Sequence, residues 1–113
     1  MSKSVREMVA DVQKELLVGS LLPMQASKCE TQLTALLGNI AEEIRDADAA
    51  FAQVLLEALD RNEAANRARI RAETTPEFKR RQEARDTHKH AMEMIRSLRS
   101  LQRVLSAEMQ LQR

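Results

Sequence analysis

The side chains best able to do chemistry in this chain are Cys29, the pair His88 and His90, and the adjacent acids Glu42 and Glu43. A thiol needs a neighbouring base or cation to become a nucleophile, and no motif around Cys29 supplies one. It stands at helical spacing with Ala26 and Leu33, so it reads as a small buried apolar residue, and as the only cysteine it cannot close an internal disulfide. Positions two apart on a helix point in nearly opposite directions, so His88 and His90 cannot ligate one ion together. No histidine follows four residues after either, and no carboxylate–x–x–histidine pattern completes a set. His88 is expected at the edge of a helical seam and His90 in solvent. Glu42 and Glu43 would need a pocket to work as acid and base, and the chain has no Walker-type loop or dinucleotide fingerprint. The expectation is a non-enzymatic protein with no cofactor and no metal.

A chain of 113 residues is one domain's worth. With 43% hydrophobic and 31% charged residues it falls outside the disordered class. Two glycines, two prolines and no tryptophan or tyrosine leave almost none of the turn and aromatic signals of sheets, so the class is all-α. The N-terminal "MSKSVREMVADVQKE" mixes acids and bases without a continuous apolar run, which fits neither a secretory signal nor a membrane span. A cytoplasmic protein without membrane contact is expected.

Ser4 and Glu7 have capping-box spacing, and Val5, Met8, Val9, Val12 and Leu16 recur on one face, which predicts a helix over about 5–18. Gly19 and Pro23 punctuate the connection that follows. From 24 to 71 strong helix formers dominate, and Gly38 is the only glycine or proline, which predicts one helix of roughly 70 Å. Its seam is Ala26, Cys29, Leu33, Leu36, Ile40, Ile44, Ala47, Phe51, Val54 and Ala58, a heptad pattern with a stutter. At "ETTPE" the pattern breaks over about 73–75. Pro76 suits a first helical position and disfavours a helical Thr75, so Thr75 is the expected N-cap of a helix over about 76–111. That helix has its own stripe of Ala84, His88, Ala91, Ile95, Leu98, Leu105 and Met109, widened by Met94, Leu101 and Val104.

The break is a hairpin turn or a sharp kink, and antiparallel pairing of the two long helices would match their apolar segments. The expected architecture is therefore a long, coiled-coil-like helical hairpin with a short N-terminal helix. So much apolar surface calls for packing into an oligomeric bundle, with Leu33, Leu36, Ile40, Ile44, Phe51, Ile95, Leu98 and Leu105 as the expected interface of a homo-oligomer.

The net charge of +1 conceals two ends of opposite sign. Up to Asp60 there are five bases and ten acids; from Arg61 to Arg103 there are twelve bases and six acids. One reading is a solvated surface with ordinary i,i+4 pairs such as Glu63–Arg67 and Asp86–His90. Another is a basic hairpin tip, with Arg67, Arg69 and Arg71 on one side and Lys79, Arg80, Arg81 and Arg85 on the other, suited to phosphates or to an acidic protein surface. A third has the acidic half of one subunit meeting the basic half of another. Only Phe51 and Phe78 are aromatic, so contact with single-stranded DNA would be mostly electrostatic and salt-sensitive.

The segment "TTPEFKRRQEARDTHKHAMEMIRSLRSLQRVLSAEM", about the last third of the chain, resembles the C-terminal part of small helical proteins of bacteriophages and prophages. Their layout is similar to that of UvsY-type recombination mediators. The resemblance implies an oligomeric helical protein that binds single-stranded DNA and assists recombination or replication, with the basic residues just named as its contacts. The alternative is a protein-interaction module, such as a phage inhibitor of a host or defence protein or an assembly adaptor.

Overall fold

The computed structural model describes residues 3–17, 23–61 and 64–111, and among these the chain forms four helices and no strand. They are α1 (Val5–Leu17), α2 (Pro23–Asp60), α3 (Ala65–Ala72) and α4 (Pro76–Leu111). The all-α hairpin expected from the sequence is present. The molecule is a rod of 72 × 30 × 21 Å.

The start of α1 follows its sequence signal: the Glu7 N–H donates to Ser4 Oγ at 3.1 Å, satisfying one of the donors a helix start leaves free. The Gly19 connection lies outside the described residues. The expected helix over 24–71 is instead two helices. α2 ends at Asp60, and Ala64 has φ −59° and ψ 143°, an extended backbone that starts α3 afresh. The reversal of the hairpin therefore falls between Asp60 and Ala65, ahead of the "ETTPE" segment. Packing explains why helix propensity loses here. Folding α3 back onto the end of α2 buries Ala58, Ala68 and Ala72, whose small side chains let the helices approach closely, whereas a continued single helix would leave them in water.

The "ETTPE" break is a kink within the returning arm. Glu73, Thr74 and Thr75 keep helix-like N–H bonds to Arg69, Arg71 and Ala72, the last two tightened to three-residue spacing. Thr75 is the N-cap of α4: its Oγ1 accepts the Phe78 N–H at 3.4 Å while donating to the Ala72 carbonyl at 2.6 Å.

Along the arm the register is constant. Phe78 meets Phe51, Arg81 meets Asp48, and Arg99 meets Glu30, so α4 runs antiparallel to α2. Cys29 lies beside Glu15, and Arg6 beside Glu83, so α1 runs antiparallel to α2 and parallel to α4. It packs on one side of the hairpin, against both helices. The shared core is Val9, Val12, Ala26, Cys29, Leu33, Ile40, Ala91, Met94, Ile95 and Leu98. Each large aliphatic side chain buried there contributes about 1.5–3 kcal/mol.

The seam of α4 is shifted from the expected one. Thr87 is buried in place of His88, with its hydroxyl satisfied by the Glu83 carbonyl at 2.8 Å, and His88 is exposed. His90, expected in solvent, is half-buried beside α1.

Candidate interaction surfaces

The expected basic tip does not form as a single cationic knob. Because the chain reverses before α3, both basic segments lie on the returning arm, and the second runs beside the acids of α2. Arg80 Nε donates to Glu43 Oε1 at 2.7 Å, and this bond holds the Arg80 pKa above the usual arginine value. Arg81 Nε donates to Asp48 Oδ1 at 3.0 Å, and its guanidinium stands 4.9 Å from the centre of the Phe51 ring. Arg85 Nη2 reaches the same carboxylate at 3.2 Å. Lys79 is 4.0 Å from Glu83 on its own helix. These are solvent-washed pairs, each worth no more than about 1 kcal/mol, yet they engage four of the seven cations expected to meet phosphate.

Arg67, Arg69 and Arg71 are exposed on α3, a helix whose own sequence contains no acid. Arg69 and Arg71 occupy its last turn, where the helix dipole favours positive charge.

The apolar residues expected between subunits are mostly enclosed within one chain. Leu33, Ile40, Ile95 and Leu98 are buried between α1, α2 and α4. Leu36 and Ile44 are half-buried against the same core. Phe51 packs on Phe78 with ring centroids 5.7 Å apart, and Leu105 is half-exposed. α1 and the returning arm together cover much of the seam that the sequence leaves open. Among the described residues, the large apolar side chains that remain exposed are Leu56, Leu59 and Ile70 towards the hairpin end, and Met24, Val104, Met109 and Leu111 towards the opposite end.

No protein-family model, curated protein or solved structure matches the chain. The functional reading therefore rests on geometry.

Reactive groups are held in ways that suit structure. Cys29 is buried, its thiol pKa raised by desolvation and then by the Glu15 carboxylate 4.0 Å away. Burial of that kind makes a thiolate rare. Glu42 is exposed, and Glu43 is engaged by Arg80. No group of three or more His, Cys, Asp or Glu among the described residues is placed to hold a metal ion. A cleft of about 430 Å³ opens between the start of α1 and the middle of the hairpin, but its charged walls are tied to one another through Arg80–Glu43 and Arg6–Glu83. No helix among the described residues is long and apolar enough to cross a membrane.

A repeat of cations runs along α4. Lys89, Arg96 and Arg103 recur every seven residues, and with Met92 they fall within about 60° of one another on α4. All three cations are exposed, and none makes an ion pair among the described residues. They lie on the side of α4 from which Arg85 and Arg99 reach α2, away from α1, which meets α4 at Glu83, Thr87 and His90. The signal was present as a heptad of cations, and became legible only once the side occupied by α1 was known.

Proposed function

We propose that this chain is a non-catalytic helical interaction module that docks a protein partner against the side of its hairpin that α1 leaves open. The observation that carries the reading is the one-sided coverage. α1 packs on one side of the α2–α4 pair, and on the other Leu37, Ile44 and Met92 reach the core but stay partly exposed beside cations that make no ion pair among the described residues. Half-covered apolar residues framed by charge are the make-up of a surface completed by another helix. Adaptor and inhibitor roles fall within this class.

The test is capture from a lysate of the source cell, with and without nuclease. A dominant protein partner retained after nuclease, and lost when Met92 and Ile44 are replaced by glutamate, supports the reading. Loss of every partner on nuclease treatment overturns it.

A second reading keeps the nucleic-acid role of a recombination or replication accessory. It is favoured by α3, where Arg67 and Arg69 are exposed on a helix that carries no acid. Such binding would rest on few phosphate contacts and so would be weak and salt-sensitive. Loss of single-strand affinity in an Arg67→Ala/Arg69→Ala variant, at unchanged helicity, would support it.

A further inference from the structure

From the charge and shape of that open side, we infer that its occupant is an acidic amphipathic helix of about three turns, supplied by a partner protein. The inference rests on the reading of the chain as a protein-docking module and names the partner's chemistry.

The floor of the groove comes from both long helices. On α2, Leu37, Ala41 and Ile44 lie on the side marked by Glu30 and Asp48, the residues that take ion pairs from α4. On α4 the floor is Met92. Leu37, Ile44 and Met92 are half-buried against the core, and Ala41 is exposed. A helix laid here would find a narrow apolar strip, continuous with the core that α1 covers from the other side.

The walls are cationic. Lys89 and Arg96 rise from α4 and Arg45 from α2, all exposed and without an ion pair among the described residues. The acids on this side, Glu30 and Asp48, are already bound to Arg99 and to Arg81 and Arg85. The open groove therefore presents net positive charge to whatever enters it, and carboxylates flanking an apolar stripe are the complement. A basic helix or a second cationic face would be repelled.

Length and closeness of approach agree. The strip spans residues 37–45 of α2 and 85–96 of α4, about three turns, similar to the 13-residue α1 on the opposite side. On the outer rim, Gly38 sits in the interior of a 38-residue helix, where glycine is unfavourable, and a Cβ there would meet nothing within 4 Å. Nothing among the described residues requires its small size, whereas a helix lying on this rim would.

The test uses the full chain and a fluorescein-labelled amphipathic peptide with leucine on one face and glutamate on the other, read by anisotropy. The peptide should bind, and a Lys89→Glu/Arg96→Glu variant should lose about tenfold or more in affinity, each tenfold being about 1.4 kcal/mol. The matched control Lys14→Glu/Lys28→Glu carries the same change in net charge away from the groove and should lose less than about twofold. Equal losses in the two variants would overturn the groove, as would equal binding of a peptide with lysine in place of glutamate. So would self-association of the wild-type chain that the acidic peptide cannot displace, since the occupant would then be a second copy. If the peptide fails while a nuclease-resistant partner persists, the groove assignment falls and the docking module stands; if nuclease removes every partner, both fall.

Discussion

Replacing Arg81 tests whether the basic run of α4 serves the fold. Its guanidinium stands over the Phe51 ring and donates to Asp48, with 28% of the side chain exposed and 41% of the Asp48 side chain exposed. At that exposure solvent screens the ion pair, which leaves about 0.5 kcal/mol for it. The ring contact adds about 0.5–1 kcal/mol. Arg81→Ala should therefore cost about 1–1.5 kcal/mol, and Asp48→Ala about 0.5–1 kcal/mol because it also releases Arg85. In a double-mutant cycle the two should couple by about 0.5 kcal/mol, and the coupling should shrink in high salt. Urea unfolding followed by circular dichroism reads all four corners. Strict additivity, together with an Arg81→Ala chain as stable as the wild type, would refute the claim that Arg81 is held across the hairpin.

Four further perturbations check other parts of the structure. Ile40→Ala, at a fully buried position, should destabilise the chain by about 2–5 kcal/mol in the same unfolding assay. Thr75→Ala removes the cap of α4 and should cost about 1 kcal/mol, while Thr75→Ser should cost much less. Gly38→Ala adds a Cβ into open space and should stabilise the free chain by up to about 1 kcal/mol, seen as a higher urea midpoint. Hydrogen bonds from Arg99 and then Gln102 hold the Glu30 carboxyl below its usual pKa of 4.5. Its contribution is therefore complete above that value and is lost as pH falls through the lowered one, so Glu30→Gln should flatten the acid limb of the stability profile.

The elements that were legible in the sequence are those with local chemistry. Ser4 and Glu7 set the start of α1, Thr75 and Pro76 set the start of α4, and the Leu33–Ile40 seam stood out by its spacing. The reversal after Asp60 was not legible, because "DRNEAAN" contains no glycine or proline and its flanks are strong helix formers. What decides it is tertiary: alanines 58, 68 and 72 are buried only when the chain turns there. The same cause undid the expected basic tip. Arg80, Arg81 and Arg85 looked free along the chain, and their partners Glu43 and Asp48 lie more than thirty residues away. Likewise Thr87 replaced His88 in the seam because α1 chooses which side of α4 is covered, and a helix's own periodicity cannot supply that choice.

The measurement that tests the central claim most directly is anisotropy of labelled single-stranded DNA across a salt series, with the wild type and an Arg80→Glu/Arg81→Glu/Arg85→Glu variant judged folded by its helicity. If these arginines are held by α2 within a protein-docking module, binding should be weak at physiological salt. Any binding at low salt should then follow Arg67 and Arg69 on α3. Tight binding that falls steeply with salt and vanishes in the folded triple variant would contradict the account and restore the basic run of α4 as a nucleic-acid surface.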